Sequence, residues 1–163
     1  MIVVADSSPL HYLILLEQTD LLRRLYEEVL IPDSVAAELR AAGSPPTVSE
    51  WMAATPSWLQ VVEVSPRDIA SVTDELDVGE RAAIALAESA RAELLLIDES
   101  AGRAEARRRR IRVTGTLGVL RIAADVGFID VQHVLNRLQA TNFYVDESLL
   151  KTIFSKWLEE SGG

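Results

Sequence analysis

The chain has 163 residues, 48% of them hydrophobic and 25% charged, with no cysteine and a formal charge of −9. This is the balance of a soluble globular protein. It excludes disulfides, thiolate catalysis and a thiolate zinc site, and it argues against a broadly basic nucleic-acid surface. No run approaches the roughly 18 apolar residues of a membrane span. The opening MIVVA lacks a basic flank and is broken at Asp6, so no membrane segment and no secretory leader is expected. A single domain over 1–163 in the cytoplasm is the simplest expectation.

Residues 2–5 read as a short buried strand, an apolar run closed by a polar turn at Asp6. Ser7 or Ser8 can cap the next helix, with Pro9 in its first turn, and that helix continues through HYLILLEQ. Thr19 and Asp20 begin a second helix, DLLRRLYEE, whose Leu21, Leu22, Leu25 and Tyr26 share one face. VLI at 29–31 predicts a strand, and Pro32, Asp33 and Ser34 restart a helix through SVAAELRAA that Gly43 stops. GSPPTVSE at 43–50 reads as a loop. A short helix around WMAAT, a strand at LQVVEV and a helical piece over PRDIASV follow.

From Leu76 the pattern is more regular. It predicts a helix over 79–91, a strand over 94–97, a helix over 99–110 and a short strand at RVT. Gly115 and Thr116 start the helix LGVLRIAADVG, Asp130 starts VQHVLNRLQA, and a final helix covers 146–160. Short apolar strands alternating with longer helices predict a three-layer α/β/α sandwich on a mainly parallel sheet.

Asp6 ends the first strand at the carboxyl edge of such a sheet, where open α/β folds keep their sites. Glu38 in SVAAELR, Glu80 in DVGERAAIALA and Asp98 in ELLLIDES arrive at comparable places. Carboxylates gathered on element ends, without cysteine or a histidine pair, suggest an oxygen-ligand site for a hard divalent ion, and hence phosphodiester chemistry. Each acid also has a plainer reading. Asp6 can cap a helix, Glu38 can be a solvated mid-helix residue, Glu80 can complement a helix dipole, and Asp98 can cap the helix after it. Asp77, and more remotely Asp74, compete with Glu80, which is preferred for the AAIALA face behind it.

RAEARRRRIR at 103–112 is the one dense basic run. Arg103, Arg107 and Arg110 recur at helical spacing and can form a stripe that grips RNA phosphates; a solvated face is the alternative. His11 and His133 fall on separate helices and read as packing or surface residues. In the last helix Leu149, Leu150, Ile153, Phe154, Trp157 and Leu158 make one broad apolar stripe, which must cover its own core or a second copy.

In order along the chain, VVADSSPLHYL, IPDSVAAELR, GERAAIALA, LLLIDES and VTGTLGVL resemble the motifs of a PIN domain, the nuclease fold of VapC-type toxins of toxin–antitoxin pairs. The resemblance is strongest to a subfamily sharing the VTGTLGVL stretch. It implies that Asp6, Glu38, Glu80 and Asp98 form the catalytic, metal-binding cluster, with Mg2+ or Mn2+ as cofactor and RNA as substrate. It implies an antitoxin protein as partner and pairing into a homodimer. Ser7 matches the hydroxyl residue that follows the first aspartate. Thr116 stands where the family supplies another polar or acidic residue, so a second metal site would be weaker or completed by Glu99. An RNA-processing nuclease without an antitoxin, and a scaffold that binds RNA or protein without cutting, are the alternatives within the family. A receiver-like signalling domain fits less well, since it needs a second acid where Ser7 stands and a lysine where Gly115 stands.

Overall fold

A computed structural model describes residues 1–161, with side chains through Leu158. The chain divides after Thr116 into two compact units.

The first unit runs β1 (Val3–Ala5), α1 (Ser7–Leu15), α2 (Asp20–Tyr26), β2 (Val29–Pro32), α3 (Asp33–Arg40), α4 (Pro46–Ala53), β3 (Leu59–Val62), α5 (Pro66–Ala70), α6 (Val78–Ser89), β4 (Leu94–Leu96), α7 (Ser100–Arg108) and β5 (Val113–Thr114). The strands form one sheet in the order β3-β2-β1-β4-β5, and every pairing is parallel. This is the α/β sandwich with a parallel sheet that the alternation predicts. Val3, Val4 and Ala5 are completely buried, as befits a central parallel strand covered on both faces. The alanine-rich α6 packs on β1, β2 and β4 and also meets α3, α5 and α7. Its Ala83, Ile84 and Leu86 join Val4, Leu95, Ile97 and Ala106 in one core.

Strand order reverses between β1 and β4. Such a switch point opens a crevice outside the carboxyl ends of the strands. Asp6 and Asp98 leave the sheet on either side of it.

Several boundaries differ from expectation, four of them with consequences for the fold or the site. Residues 46–50 are helical, not loop: Pro45 takes the N-cap place of α4 and Pro46 its first position, where the missing N–H is no loss. β3 stops at Val62. Asp6, not Ser7 or Ser8, holds the N-cap place of α1. The helix expected over 99–110 ends at Arg108, and Arg110 has φ 62. Arg110 therefore lies off the helix that carries Arg103 and Arg107.

The second unit contains α8 (Thr116–Asp125), α9 (Val131–Gln139) and α10 (Glu147–Ser161). Gly127 follows α8 with φ 75, the left-handed conformation that commonly ends helices. Asp130 caps α9, its carboxylate accepting from the His133 N–H at 3.2 Å. α10 packs on α9 and departs from helical geometry at Phe154, with φ −111 and ψ 17. The apolar stripe is unevenly buried. Leu150 and Phe154 are buried, while Leu149 is 47% exposed. Among the described residues no helix is long and apolar enough to cross a membrane.

Candidate active site

β1 and β4 end side by side, the Asp6 N–H donating to the Leu96 carbonyl at 2.9 Å. Although Asp6 stands at an N-cap position, its carboxylate makes no capping bond. It is 4% exposed, and its Oδ1 has no hydrogen-bond partner. A buried carboxylate in that condition resists ionisation. Burial pushes Asp6 up to about 7, with the charges of Asp77, Glu38 and Asp98 adding to it and the Ser7 N–H opposing. The capping reading of Asp6 does not describe this residue.

Capping falls instead to Asp77 at the head of α6, whose Oδ1 accepts from the Glu80 N–H at 2.8 Å. Glu80, one turn in, is 8% exposed. Burial first, then Asp77, raises it to about 8. Asp77 and Glu80, which compete in the sequence, both belong to the cluster. A Cβ built on Gly79 between them would lie 3.3 Å from Glu38 Oε2 and 3.6 Å from both Asp6 Oδ1 and Asp77 Oδ1. Three carboxylates from three elements thus surround the space left by one missing side chain. Glu38 reaches it because α3 packs on α6.

Asp98 is held differently. The N-cap place of α7 belongs to Glu99, and Asp98 turns toward the end of β5. Its Oδ1 accepts from the Thr116 N–H at 2.7 Å. Its Oδ2 accepts from the Thr116 hydroxyl at 2.7 Å and the Ser8 hydroxyl at 2.8 Å. Thr116 is fully buried and anchors this carboxylate.

A family model described as PIN domain matches residues 2–159. The chain belongs to the PIN domain family. That family has a nuclease fold, and the match runs through both units of the chain. A comparison with curated proteins gave no match.

Arg103 lies beside the acidic edge of this PIN domain. A Cβ on Gly115 would fall 2.5 Å from Asp98 Oδ1 and 3.4 Å from Arg103 Nη1, so the guanidinium and the carboxylate flank one glycine. Among the described residues Arg103 and Arg107 make no ion pair, whereas Arg109 is tied to Glu105 at 3.0 Å and to Glu88 at 3.1 Å, and Arg108 pairs with Glu105. Of the three expected phosphate contacts, Arg103 stands at the site, Arg107 lies one turn further along α7, and Arg110 lies beyond its end.

Among the described residues no three acidic or histidine side chains are arranged to hold a metal ion as they stand. The donor set nevertheless fits a hard divalent ion. It offers carboxylate oxygens only, an orphaned buried Oδ1 on Asp6, and a cradle at Gly79 that a Cβ would fill. Magnesium binds oxygen at about 2.0–2.1 Å. Glu99, the expected source of a second site, is exposed; its charge reaches Glu80.

His11 and Tyr12 were not read as site residues. They form an edge-to-face ring pair with centroids 4.8 Å apart. Burial lowers the His11 pKa against the pull of Glu38, and burial raises that of Tyr12 with help from Asp98. The signal was present in the spacing: each lies four residues after Ser7 or Ser8, one helical turn from the acidic edge.

Proposed function

We propose that this PIN domain is a metal-dependent endoribonuclease that hydrolyses RNA phosphodiester bonds with Mg2+ or Mn2+, and that it is the toxin of a toxin–antitoxin pair. The observation that carries the reading is the convergence of Asp6, Glu38 and Asp77 on the Gly79 cradle, with Asp6 Oδ1 buried and unpartnered. A bound divalent ion supplies an acidified water and neutralises phosphate charge. The chain's own groups do the rest. Asp6, Glu38, Glu80 and Asp98 would hold the ion, with Asp77 beside them. Burial and the neighbouring Asp77 raise Glu80 to about 8, which eases the repulsion among these acids until an ion is bound. Arg103 draws the scissile phosphate to the acidic edge. The toxin role rests on the resemblance of the five motifs to VapC-type proteins.

Cleavage of a panel of structured RNAs tests the reading. Cutting is expected with Mg2+ or Mn2+ and is lost in Asp98→Asn, which keeps the shape and removes the charge. Full cleavage in excess chelator would overturn the mechanism, and RNA binding without cleavage under any ion would indicate a non-cutting scaffold. For the toxin role, expression of the wild-type chain should arrest growth, Asp98→Asn should not, and a small DNA-binding protein encoded alongside should relieve the arrest.

A further inference from the structure

We propose that Thr116 and Ser8 are positioning residues that fix Asp98 so that Oδ1 presents its single open acceptor position to the divalent ion, while Oδ2 is closed to it. The inference rests on the metal-dependent reading above.

A carboxylate has about four acceptor positions, two on each oxygen. On Asp98 the hydroxyls of Thr116 and Ser8 take both positions of Oδ2, and the Thr116 N–H takes one on Oδ1. One position on Oδ1 remains. Thr116 grips both oxygens at once, through backbone and side chain, and is itself fully buried. Ser8 pulls from the first turn of α1. The carboxylate plane is therefore fixed from two directions before any ion arrives. Gly115 lets the carboxylate approach this closely, because a Cβ there would fall 2.5 Å from Oδ1.

Two consequences follow for this chain. Asp98 would offer an ion the one acceptor position on Oδ1 that its hydrogen bonds leave. The threonine found where an acid was expected is not a weakened ligand: it orients a neighbouring one. Partners of this kind set the direction and basicity of a ligand, and their loss typically weakens metal affinity by about 10- to 100-fold.

The test is Mn2+ affinity, read by titration calorimetry or by the spin-resonance signal of the free ion, without RNA. Urea unfolding of the same samples reports stability separately. Thr116→Val keeps the shape and backbone N–H but removes the hydroxyl, and Thr116→Ser restores it. Weakening by about 10- to 100-fold is expected in Thr116→Val, with Thr116→Ser returning to wild-type affinity and Ser8→Ala weakened in the same direction. A purely structural link would lower the urea midpoint of Thr116→Val and leave the affinity of the folded protein unchanged, which would overturn the proposal. Should Thr116→Val fail to fold, unchanged affinity in Ser8→Ala would overturn it equally. A wild-type chain that binds no Mn2+ would instead remove the metal-dependent reading, and this inference with it.

Discussion

Asp6→Asn is expected to make the metal-free protein more stable at alkaline pH while removing a ligand. In the folded chain Asp6 is raised from 3.8 to about 7 by burial, chiefly, and by the acids around it. An acid raised in this way favours the folded state fully below its unfolded pKa, and that contribution is lost as pH climbs through about 7. At 1.36 kcal/mol per pH unit, the rise corresponds to about 4 kcal/mol lost between pH 4 and pH 8. Asparagine has the same shape and no charge, and its amide can donate to Glu38 or Asp77. Some of the penalty will relax as the carboxylate shifts toward water, so a gain of about 2–4 kcal/mol is expected at pH 8 and almost none at pH 4. Urea unfolding of both proteins in chelator at the two pH values measures this difference directly. Glu80, raised to about 8, remains in both proteins and cancels to first order. Mn2+ should then close the gap by stabilising the wild type more than the variant. A variant no more stable than the wild type at pH 8 would refute burial of an uncompensated charge at Asp6.

Gly115→Ala should place a Cβ on Asp98 Oδ1, where the separation would be 2.5 Å. Overpacking of this kind costs about 1–3 kcal/mol, so both the urea midpoint and Mn2+ affinity should fall; no change in either would mean that the strand end yields freely. Arg103→Ser should reduce the slope of log affinity for single-stranded RNA against log salt by about 0.7. Arg110→Ser, off the helix and away from the acids, should leave the slope unchanged, and equal effects would return the stripe to a single basic face. We also expect a homodimer, with exposed Leu149 on the kinked α10 as part of its contact. Light scattering that gives 17.9 kDa, rather than twice that mass, would assign the stripe to the chain's own core.

The strands were legible because parallel strands covered on both faces are short and wholly apolar, as VVA and LLL are. Asp6 and Asp98 were legible for the same reason, since each polar residue stands just past such a run. What the sequence hid is contact between distant segments. Glu38 looks like a solvated helix residue and is indeed exposed; only the packing of α3 on α6 brings it to Gly79. Asp77 and Glu80 seemed exclusive because they are three residues apart, but a cap and the residue one turn in face the same side of a helix start. Thr116 looked like a missing acid because no local pattern shows its hydroxyl meeting Asp98, eighteen residues away. The paired prolines resembled a break, although the second suits the first position of a helix. The run of arginines carried no glycine to mark where α7 stops.

Parallel strand order has a temporal consequence. Ser8 and Asp98 are separated by 90 residues, and Thr116 is later still. A ribosome delivers the amino-terminal part first. A growing chain that already displays Asp6, Glu38 and Glu80 still lacks the β4 neighbour of β1, and with it Asp98 and the threonine that holds it. The proposed nuclease thus comes into being only once Thr116 has joined the residues that precede it.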